Sequence, residues 1–223
     1  MRFARTLHGL GLLAVASLAV ALPMWAALAQ TAAPPPALTD QLVGPDTPAD
    51  FDVAALHQQA TDRIHARADA APVKRPPIAP QLLKLPQFDF NAVFDPDTAV
   101  IRPQSYQVIG RIADALADPK LRPFSFLVIS HTVSTGARTA NLTLSQRRAD
   151  AIRTVLTGSF KISPRRLQAI GLGEEQLLDS ARPASEANLR AQIVTLGTVP
   201  PPAQPAAGSA PPAKKGAASK KKR

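Results

Sequence analysis

The sequence predicts an α/β (α+β) domain with the order β-α-β-α-β-β, a mixed sheet and helices on one face. Short apolar segments with the period of a strand alternate along the chain with longer segments that have the period of a helix. In addition, none of the 23 prolines lies between Pro123 and Pro164, whereas proline clusters occur near both ends of the chain. The folded part is therefore expected between those clusters.

The first strand and the first helix are marked by periodicity. Phe88, Phe90 and Phe94 stand at even spacing, which is typical of a strand. A turn is predicted at 95–98, and Pro103 suits the first turn of a helix whose apolar residues recur every three or four positions. This spacing would let the helix bury one face on a sheet.

The remaining elements continue the alternation of strand and helix. They are strands at 125–129, 167–170 and 191–196 and a helix from about Asn141 to Leu156. Gly158 is suited to end the helix. The segment 85–198 is therefore predicted to form one domain, and it is long enough to bury a core.

The amino terminus is predicted to be a signal peptide, residues 1–29. Arg2 and Arg5 give a positive start, an apolar stretch follows, and residues 27–29 (Ala-Leu-Ala) fit the small-x-small cleavage pattern. The alternative is an uncleaved membrane anchor, because the same stretch reaches the ~20 residues that span a bilayer. Export predicts a periplasmic chain associated with the cell envelope.

Two segments outside the domain are predicted from composition. Residues 30–84 are expected to be a disordered linker rich in alanine and proline, with one helix at 50–70. Prolines that recur from 72 to 86 bar a helix and favour an extended connector. Residues 199–223 are expected to be a disordered tail, because they have few bulky apolar residues to offset the entropy of ordering.

Charge and cysteine content exclude several classes of function. The chain has no cysteine, which removes disulfides, thiolate metal sites and cysteine nucleophiles. The formal net charge is +10, and six basic residues lie at 214–223, so we expect no nucleic-acid-binding face on the domain. This lysine-rich tail is predicted either to contact anionic envelope polymers or lipid or to remain solvated.

No metal site and no cofactor are predicted. His57 has no ligand type four residues later, and His65 with Asp69 offers two ligands where a zinc site needs three or four. His131 is a candidate acid-base group, but no carboxylate, second histidine or serine builds a triad around it. We therefore predict no catalytic residue, and the chain is not expected to be an enzyme.

A ligand site is expected in the segment 126–149, which has the order strand, loop, helix. Ligands of open α/β sheets tend to bind at the carboxyl ends of strands. By spacing, Asn141 and Arg148 fall on the helix face that carries the apolar residues. A guanidinium turned toward a core is costly unless a carboxylate or several acceptors satisfy it, and Arg148 is predicted either to bind a ligand carboxylate or to pair with Asp97 inside the protein. Asn141 is predicted either to contact a ligand or to cap the helix.

From about residue 85 to 197 the sequence resembles the OmpA-like carboxyl-terminal domain family, which binds peptidoglycan. The matching residues are Phe94, Asp97-Thr98-Ala99, Ile101, Pro103, His131-Thr132, Gly136, Asn141, Leu144-Ser145, Arg148-Ala149, Gly171, Gly173, Glu174, Asn188 and Arg190. The resemblance implies a β-α-β-α-β-β domain that holds the diaminopimelate part of a peptidoglycan stem peptide without chemistry. Peptidoglycan or other envelope proteins are the expected partners.

The resemblance also implies which residues meet the ligand. The helix arginine of the family, which meets a ligand carboxylate, is matched by Arg148, and we place Asn141, Thr132 and Asp97 in the same site. The family has an aspartate directly after His-Thr that also meets the ligand, but Val133 stands at that position. Valine cannot accept from an ammonium, and an unpaired buried amine costs on the order of 1–3 kcal/mol.

Because valine replaces the family's aspartate at position 133, three interpretations of the site remain. In the first, binding is retained in weakened form through the arginine and the loop backbone, and in the second the ligand lacks the amine. Alternatively, the domain serves as a protein-interaction scaffold of the envelope without binding peptidoglycan.

Overall fold

The computed structural model describes residues 37–48, 51–66 and 75–199. The signal peptide predicted at 1–29 and the tail predicted at 199–223, apart from Val199, lie outside the described residues.

Strands and α-helices alternate through the domain. The helices are α1 (Leu38–Gln41), α2 (Val53–His65), α3 (Tyr106–Ala117) and α4 (Arg138–Gly158), and the strands are β1 (Gln87–Phe90), β2 (Phe124–His131), β3 (Leu167–Gly173) and β4 (Ala191–Thr198). From β1 onward the order is β-α-β-α-β-β, so the predicted fold class is confirmed. The helix predicted from about Asn141 begins three residues earlier.

The sheet is mixed, with the strand order β1-β4-β2-β3. Strand β4 pairs antiparallel with both β1 and β2, whereas β2 and β3 are parallel. The carboxyl ends of β2 and β3 therefore lie at the same edge of the sheet, where Ser130 pairs with Gly171 and also with Ala191 at the start of β4. This edge carries the candidate site.

Helices α3 and α4 pack on one face of the sheet, as predicted. Phe126 and Val128 of β2 point to this face and are fully buried. Ile112 of α3 and Ile152 of α4 belong to the same core. The alternation of side chains along a strand explains the pattern, because it sends every second residue of β2 to the same side.

The opposite face of the sheet is covered by the segment that precedes the domain. Leu127 and Ile129 of β2 point to this face and pack with Leu56 of α2, together with Ile78 and Leu82. An apolar sheet face must be covered by another element, which explains why this segment is ordered. Within the range 50–70, where a helix is predicted, the structure has α2 at Val53–His65, and residues 50 and 67–70 lie outside the described residues.

The described parts of the predicted linker at 30–84 therefore differ from the prediction, because they pack against the sheet. Leu42 is fully buried in the α3–α4 core, and its carbonyl oxygen accepts a hydrogen bond of 2.7 Å from the Thr195 hydroxyl. The predicted extended connector contains a short 3₁₀ turn at Leu82–Lys84. Proline excludes a long helix there, but it does not prevent the neighbouring apolar residues from being buried.

Candidate functional site

The candidate site is built around the loop 132–136, which joins β2 to α4. Its backbone is tied to the neighbouring elements, because the Thr132 N–H donates to the Gly173 carbonyl and the Ser134 N–H donates to the Pro183 carbonyl, both at 2.9 Å. Gly136 has a φ of 76°, a left-handed conformation that suits glycine. These contacts fix the backbone conformation of the loop.

Asn141 holds the same loop with its side chain. Its Nδ2 group donates to the carbonyls of Val133 and Thr135 at 3.3 and 3.0 Å, and to Oε2 of Glu174 at 2.8 Å. Because α4 begins at Arg138, Asn141 lies inside the first turn and is not the helix cap that one interpretation predicted. The amide nitrogen is thus committed to internal acceptors.

Glu174, which directly follows β3, links several parts of the site. Its Oε1 atom accepts from the Ser134 hydroxyl at 2.8 Å and from Arg75 Nη2 at 2.9 Å. Burial raises the pKa of Glu174, but the hydrogen bonds from Arg75, Ser134 and Asn141 outweigh burial and hold this pKa below its ordinary value. The carboxylate is therefore charged at neutral pH and organises the loop.

Glu175 extends this cluster of buried charges. It accepts from Arg75 Nη1 at 3.1 Å and from Arg138 Nη2 at 2.8 Å, and its side chain is fully buried. Sequence reasoning missed Arg75, since it precedes the domain by many residues in a proline-rich segment. No local pattern pairs it with Glu174, which lies 99 positions further along the chain.

Arg148 is buried at the side of the site, with 6% of its surface exposed. Its Nε donates to the carbonyl of Thr98 at 2.9 Å, and its guanidinium carbon lies 4.9 Å from the centre of the Phe94 ring. Burial lowers the pKa of Arg148, whereas the nearby charge of Asp97 raises it. Within the described segments Arg148 makes no ion pair with a carboxylate, so the predicted internal pair with Asp97 is not a direct contact.

A cleft of about 600 Å³ opens between the turn after β1 and the start of α4. Asp97, Thr135, Asn141 and Arg147 contribute to its lining. Asp97 is exposed, with a left-handed φ of 54° that is uncommon outside glycine. The structure thus brings the predicted site residues Asp97 and Asn141 to one cleft. Arg148 does not line this cleft: it lines a smaller neighbouring pocket with Phe94 and His131, and it contacts the cleft only through the carbonyl of Thr98, the residue next to Asp97.

Thr132 and Val133 have different surroundings from the other predicted site residues. Thr132 is buried, does not line the cleft, and its hydroxyl oxygen has no hydrogen-bond partner within the described part of the chain. Val133 is half-buried and uses its carbonyl for Asn141, while its side chain offers no acceptor. Since neither residue supplies a carboxylate, the acidic group that lines the cleft is the side chain of Asp97.

His131 lies beneath the loop and is 1% exposed. Its Nε2–H donates to Gln192 Oε1 at 2.7 Å, because that amide oxygen can only accept. Burial, aided by the charge of Arg190, lowers the pKa of His131 to about 3 despite the hydrogen bond to Gln192. The imidazole is neutral and shielded, which does not fit an acid-base group that acts on a bound molecule.

The sheet, its two supporting helices and the polar cleft at the strand ends define a small α+β domain with one candidate ligand site. Residues 93–190 match the model of the OmpA family. The chain therefore carries an OmpA-like domain.

Outer membrane porin F of Pseudomonas fluorescens is 35% identical over 100 residues, which cover 44% of this chain and 30% of that protein. The chain spans less than a third of the length of the curated relatives it matches.

Solved structures are also similar to the chain. An outer membrane protein of Borrelia burgdorferi B31 has a TM-score of 0.41 and 25% identity, covering 50% of this chain and 88% of that one. The peptidoglycan-associated lipoprotein of Burkholderia pseudomallei has a TM-score of 0.39 and 23% identity, covering 58% and 97%. In the described part of this chain, no helix has the length and apolar character needed to cross a membrane.

Proposed function

We propose that the chain is a non-catalytic protein of the cell envelope that associates with peptidoglycan through its OmpA-like domain. The proposal rests on the burial and the contacts of Arg148. This arginine is buried beside the cleft, held by one backbone carbonyl and one aromatic ring, and free of any ion pair among the described residues. Such a guanidinium is suited to receive a carboxylate of a ligand in a two-pronged contact.

The ligand proposed for this site is the diaminopimelate part of a stem peptide, which presents a carboxylate and an ammonium group. Arg148 would bind a carboxylate, and the exposed carboxylate of Asp97 would accept from the ammonium. Asn141 would act mainly by shaping the loop, because its amide nitrogen already has three acceptors. Thr132 would contribute by fixing the end of β2 through its backbone.

Val133 sets the expected strength of binding. The residue offers no acceptor where the family has an aspartate, so we propose that the ammonium of the ligand is bound through Asp97 alone. One charge-assisted hydrogen bond fewer corresponds to about 1.5–3 kcal/mol of lost affinity. The site would therefore be a weakened form of the family's site.

Sedimentation of the purified full chain with peptidoglycan at moderate salt tests the proposal. Arg148→Ala is expected to weaken binding roughly tenfold or more, because it removes the charged partner of the carboxylate. Arg153→Ala is the matched control, since Arg153 lies on the same helix and also donates from Nε to a backbone carbonyl, that of Leu167 at 2.7 Å. Equal sedimentation of wild type and Arg148→Ala would contradict the proposal.

The acidic side of the site is tested in the same assay. Asp97→Asn is expected to weaken binding, because the neutral amide is a poorer acceptor for an ammonium. Asp95→Asn is the control, since Asp95 belongs to the same turn but pairs with Arg102 at 2.8 Å on the surface. If Asp97→Asn binds like wild type, the ammonium is bound elsewhere or the ligand lacks it.

A second candidate function is a protein-interaction scaffold of the envelope, and Val133 is the observation that favours it. Failure of the wild type to sediment with peptidoglycan would support this candidate. For either function we propose export through residues 1–29 and contact of the lysine-rich tail with anionic envelope polymers or lipid. Removal of 200–223 should then reduce the salt-sensitive part of the binding.

A further inference from the structure

Arg75 connects the segment before the domain with the loop of the candidate site. It lies outside the residues that match the family, 93–190. Its side chain is nevertheless 8% exposed and reaches Glu174, whose side chain is 4% exposed, at 2.9 Å. Desolvating a charge is costly, so burial of this arginine must be offset by the ion pairs that its guanidinium makes.

The contacts of Glu174 lead from Arg75 directly into the loop. One carboxylate oxygen accepts from Arg75 and from the Ser134 hydroxyl, and the other accepts from the Asn141 amide. The same amide donates to the carbonyls of Val133 and Thr135. One hydrogen-bonded network therefore extends from Arg75 to the loop residues beside the cleft.

The two acidic residues of the cluster depend on Arg75 to different degrees. Glu175 has a second cation, since Arg138 contacts both of its oxygens at 2.8 and 2.9 Å. Glu174 has no other cation in the described part of the chain, because its remaining partners are the neutral Ser134 and Asn141. Loss of Arg75 would leave Glu174 as a buried charge without a counterion, and the carboxylate would then reorient or take up a proton. Either change alters its bonds to the loop.

We propose that Arg75 is a positioning residue for the peptidoglycan site, so that the segment before the domain completes the site by fixing Glu174 and, through it, the loop 132–136. The proposal rests on the function proposed above. It predicts that Arg75 affects binding without touching the ligand, and that it affects the loop whether or not a ligand is present.

The test compares Arg75→Gln with Arg63→Gln in the full chain. Arg63 anchors the same segment by donating to the Pro76 carbonyl at 2.8 Å, but it does not contact Glu174. Amide hydrogen exchange at 132–136, with α2 as the internal reference, and sedimentation with peptidoglycan are the two measurements. We expect Arg75→Gln to speed exchange in the loop about tenfold and to weaken binding roughly tenfold, with α2 unchanged. Arg63→Gln should leave both close to wild type.

Two results would overturn the proposal. One is wild-type exchange in the loop of Arg75→Gln, and the other is an equal loss of protection in α2 and the loop, which would mean that the whole segment detaches. Arg75→Lys is the second variant, because lysine keeps the charge but cannot donate to both carboxylates as a planar fork does. The exchange rate of the loop in Arg75→Lys is expected to lie between the rates of wild type and Arg75→Gln. If Arg75→Gln does not fold, a wild-type exchange rate of the loop in Arg75→Lys overturns the proposal.

The loop measurement also separates this proposal from the proposed function. If the wild type does not sediment with peptidoglycan, the proposed function fails, while faster loop exchange in Arg75→Gln still shows that Arg75 fixes the loop. If the wild type binds and Arg148→Ala does not, but Arg75→Gln behaves as wild type in both measurements, only the role of Arg75 fails.

Discussion

The Nε–H of Arg148 donates to the carbonyl oxygen of Thr98 at 2.9 Å, so the arginine of α4 is held by the backbone of the turn that follows β1. A backbone carbonyl fixes the direction of the guanidinium without neutralising its charge. The nearby Phe94 ring supports the same orientation. Among the described residues, no carboxylate therefore neutralises this guanidinium in an ion pair.

Val133→Asp is expected to strengthen binding of a diaminopimelate-containing peptide. The new carboxylate would supply a second acceptor for the ammonium, and a charge-assisted hydrogen bond corresponds to a gain of roughly tenfold or more. A binding titration of wild type and variant measures the effect. Thr154→Asp controls for added negative charge, because Thr154 is exposed near the other end of α4. Equal affinities for wild type and Val133→Asp would mean that residue 133 does not contact the ammonium.

Glu174→Gln is expected to lower the free energy of unfolding by about 2–3 kcal/mol at pH 7, because Arg75 loses one of its two charged partners in a buried position. The folded-state pKa of Glu174 lies below its ordinary value, so its contribution is complete above the unfolded pKa of about 4.3. That contribution is lost as the pH falls through the folded pKa. The difference between wild type and variant should therefore shrink in acid.

Urea unfolding at pH 7 and at about pH 3 measures this difference. Glu186→Gln is the control, because Glu186 is exposed and its change should cost less than about 0.5 kcal/mol at pH 7. A difference between wild type and Glu174→Gln that stays constant over this pH range would show that the charge of Glu174 is not what stabilises the cluster.

The order of strands and helices could be predicted from the sequence because it depends on local periodicity. Phe88 and Phe90 indicate a strand at even spacing, and β1 includes both. The exposed position of Asp97 in the cleft depends on a left-handed backbone in the turn, for which the sequence offers no reliable pattern. The position of Arg148 on the helix could be predicted from spacing, whereas its carbonyl partner at Thr98 could not, because that contact joins two distant elements.

Gly171→Ala is expected to unfold the domain or cost at least about 3 kcal/mol, because a Cβ atom there would collide with the backbone of Ser145 and Gln146. The backbone of α4 cannot move away as a flexible side chain could. Thermal or urea unfolding measures the loss. Gly158→Ala is the matched control, since a Cβ at the end of α4 would meet no atom within 4 Å and should change stability by less than about 1 kcal/mol. Similar stabilities of the two variants would contradict the close approach of β3 to α4.

The packing of the segment before the domain could not be predicted from composition. Proline and alanine content correctly indicates that long regular elements are absent from 75–86, but it does not show whether the segment is buried. Burial is decided by the second apolar face of the sheet, to which Leu127 and Ile129 contribute. Ion pairs such as that of Arg75 with Glu174 join residues far apart in the chain, so spacing in the sequence carries no signal for them.

Leu56→Ala is expected to cost about 2–5 kcal/mol of unfolding free energy, because Leu56 of α2 is 2% exposed and packs on the sheet face opposite α3 and α4. Leu83→Ala is the control, since Leu83 precedes β1 in the same covering segment but is 48% exposed, and it should cost less than about 1 kcal/mol. Urea unfolding of the full chain measures both variants. If Leu56→Ala is as stable as Leu83→Ala, the helix does not contribute to the stability of the domain and the second apolar face is covered mainly by residues 78–85. A large loss with a single unfolding transition would instead show that α2 and the OmpA-like domain unfold together, because a helix that detaches independently would give a separate transition.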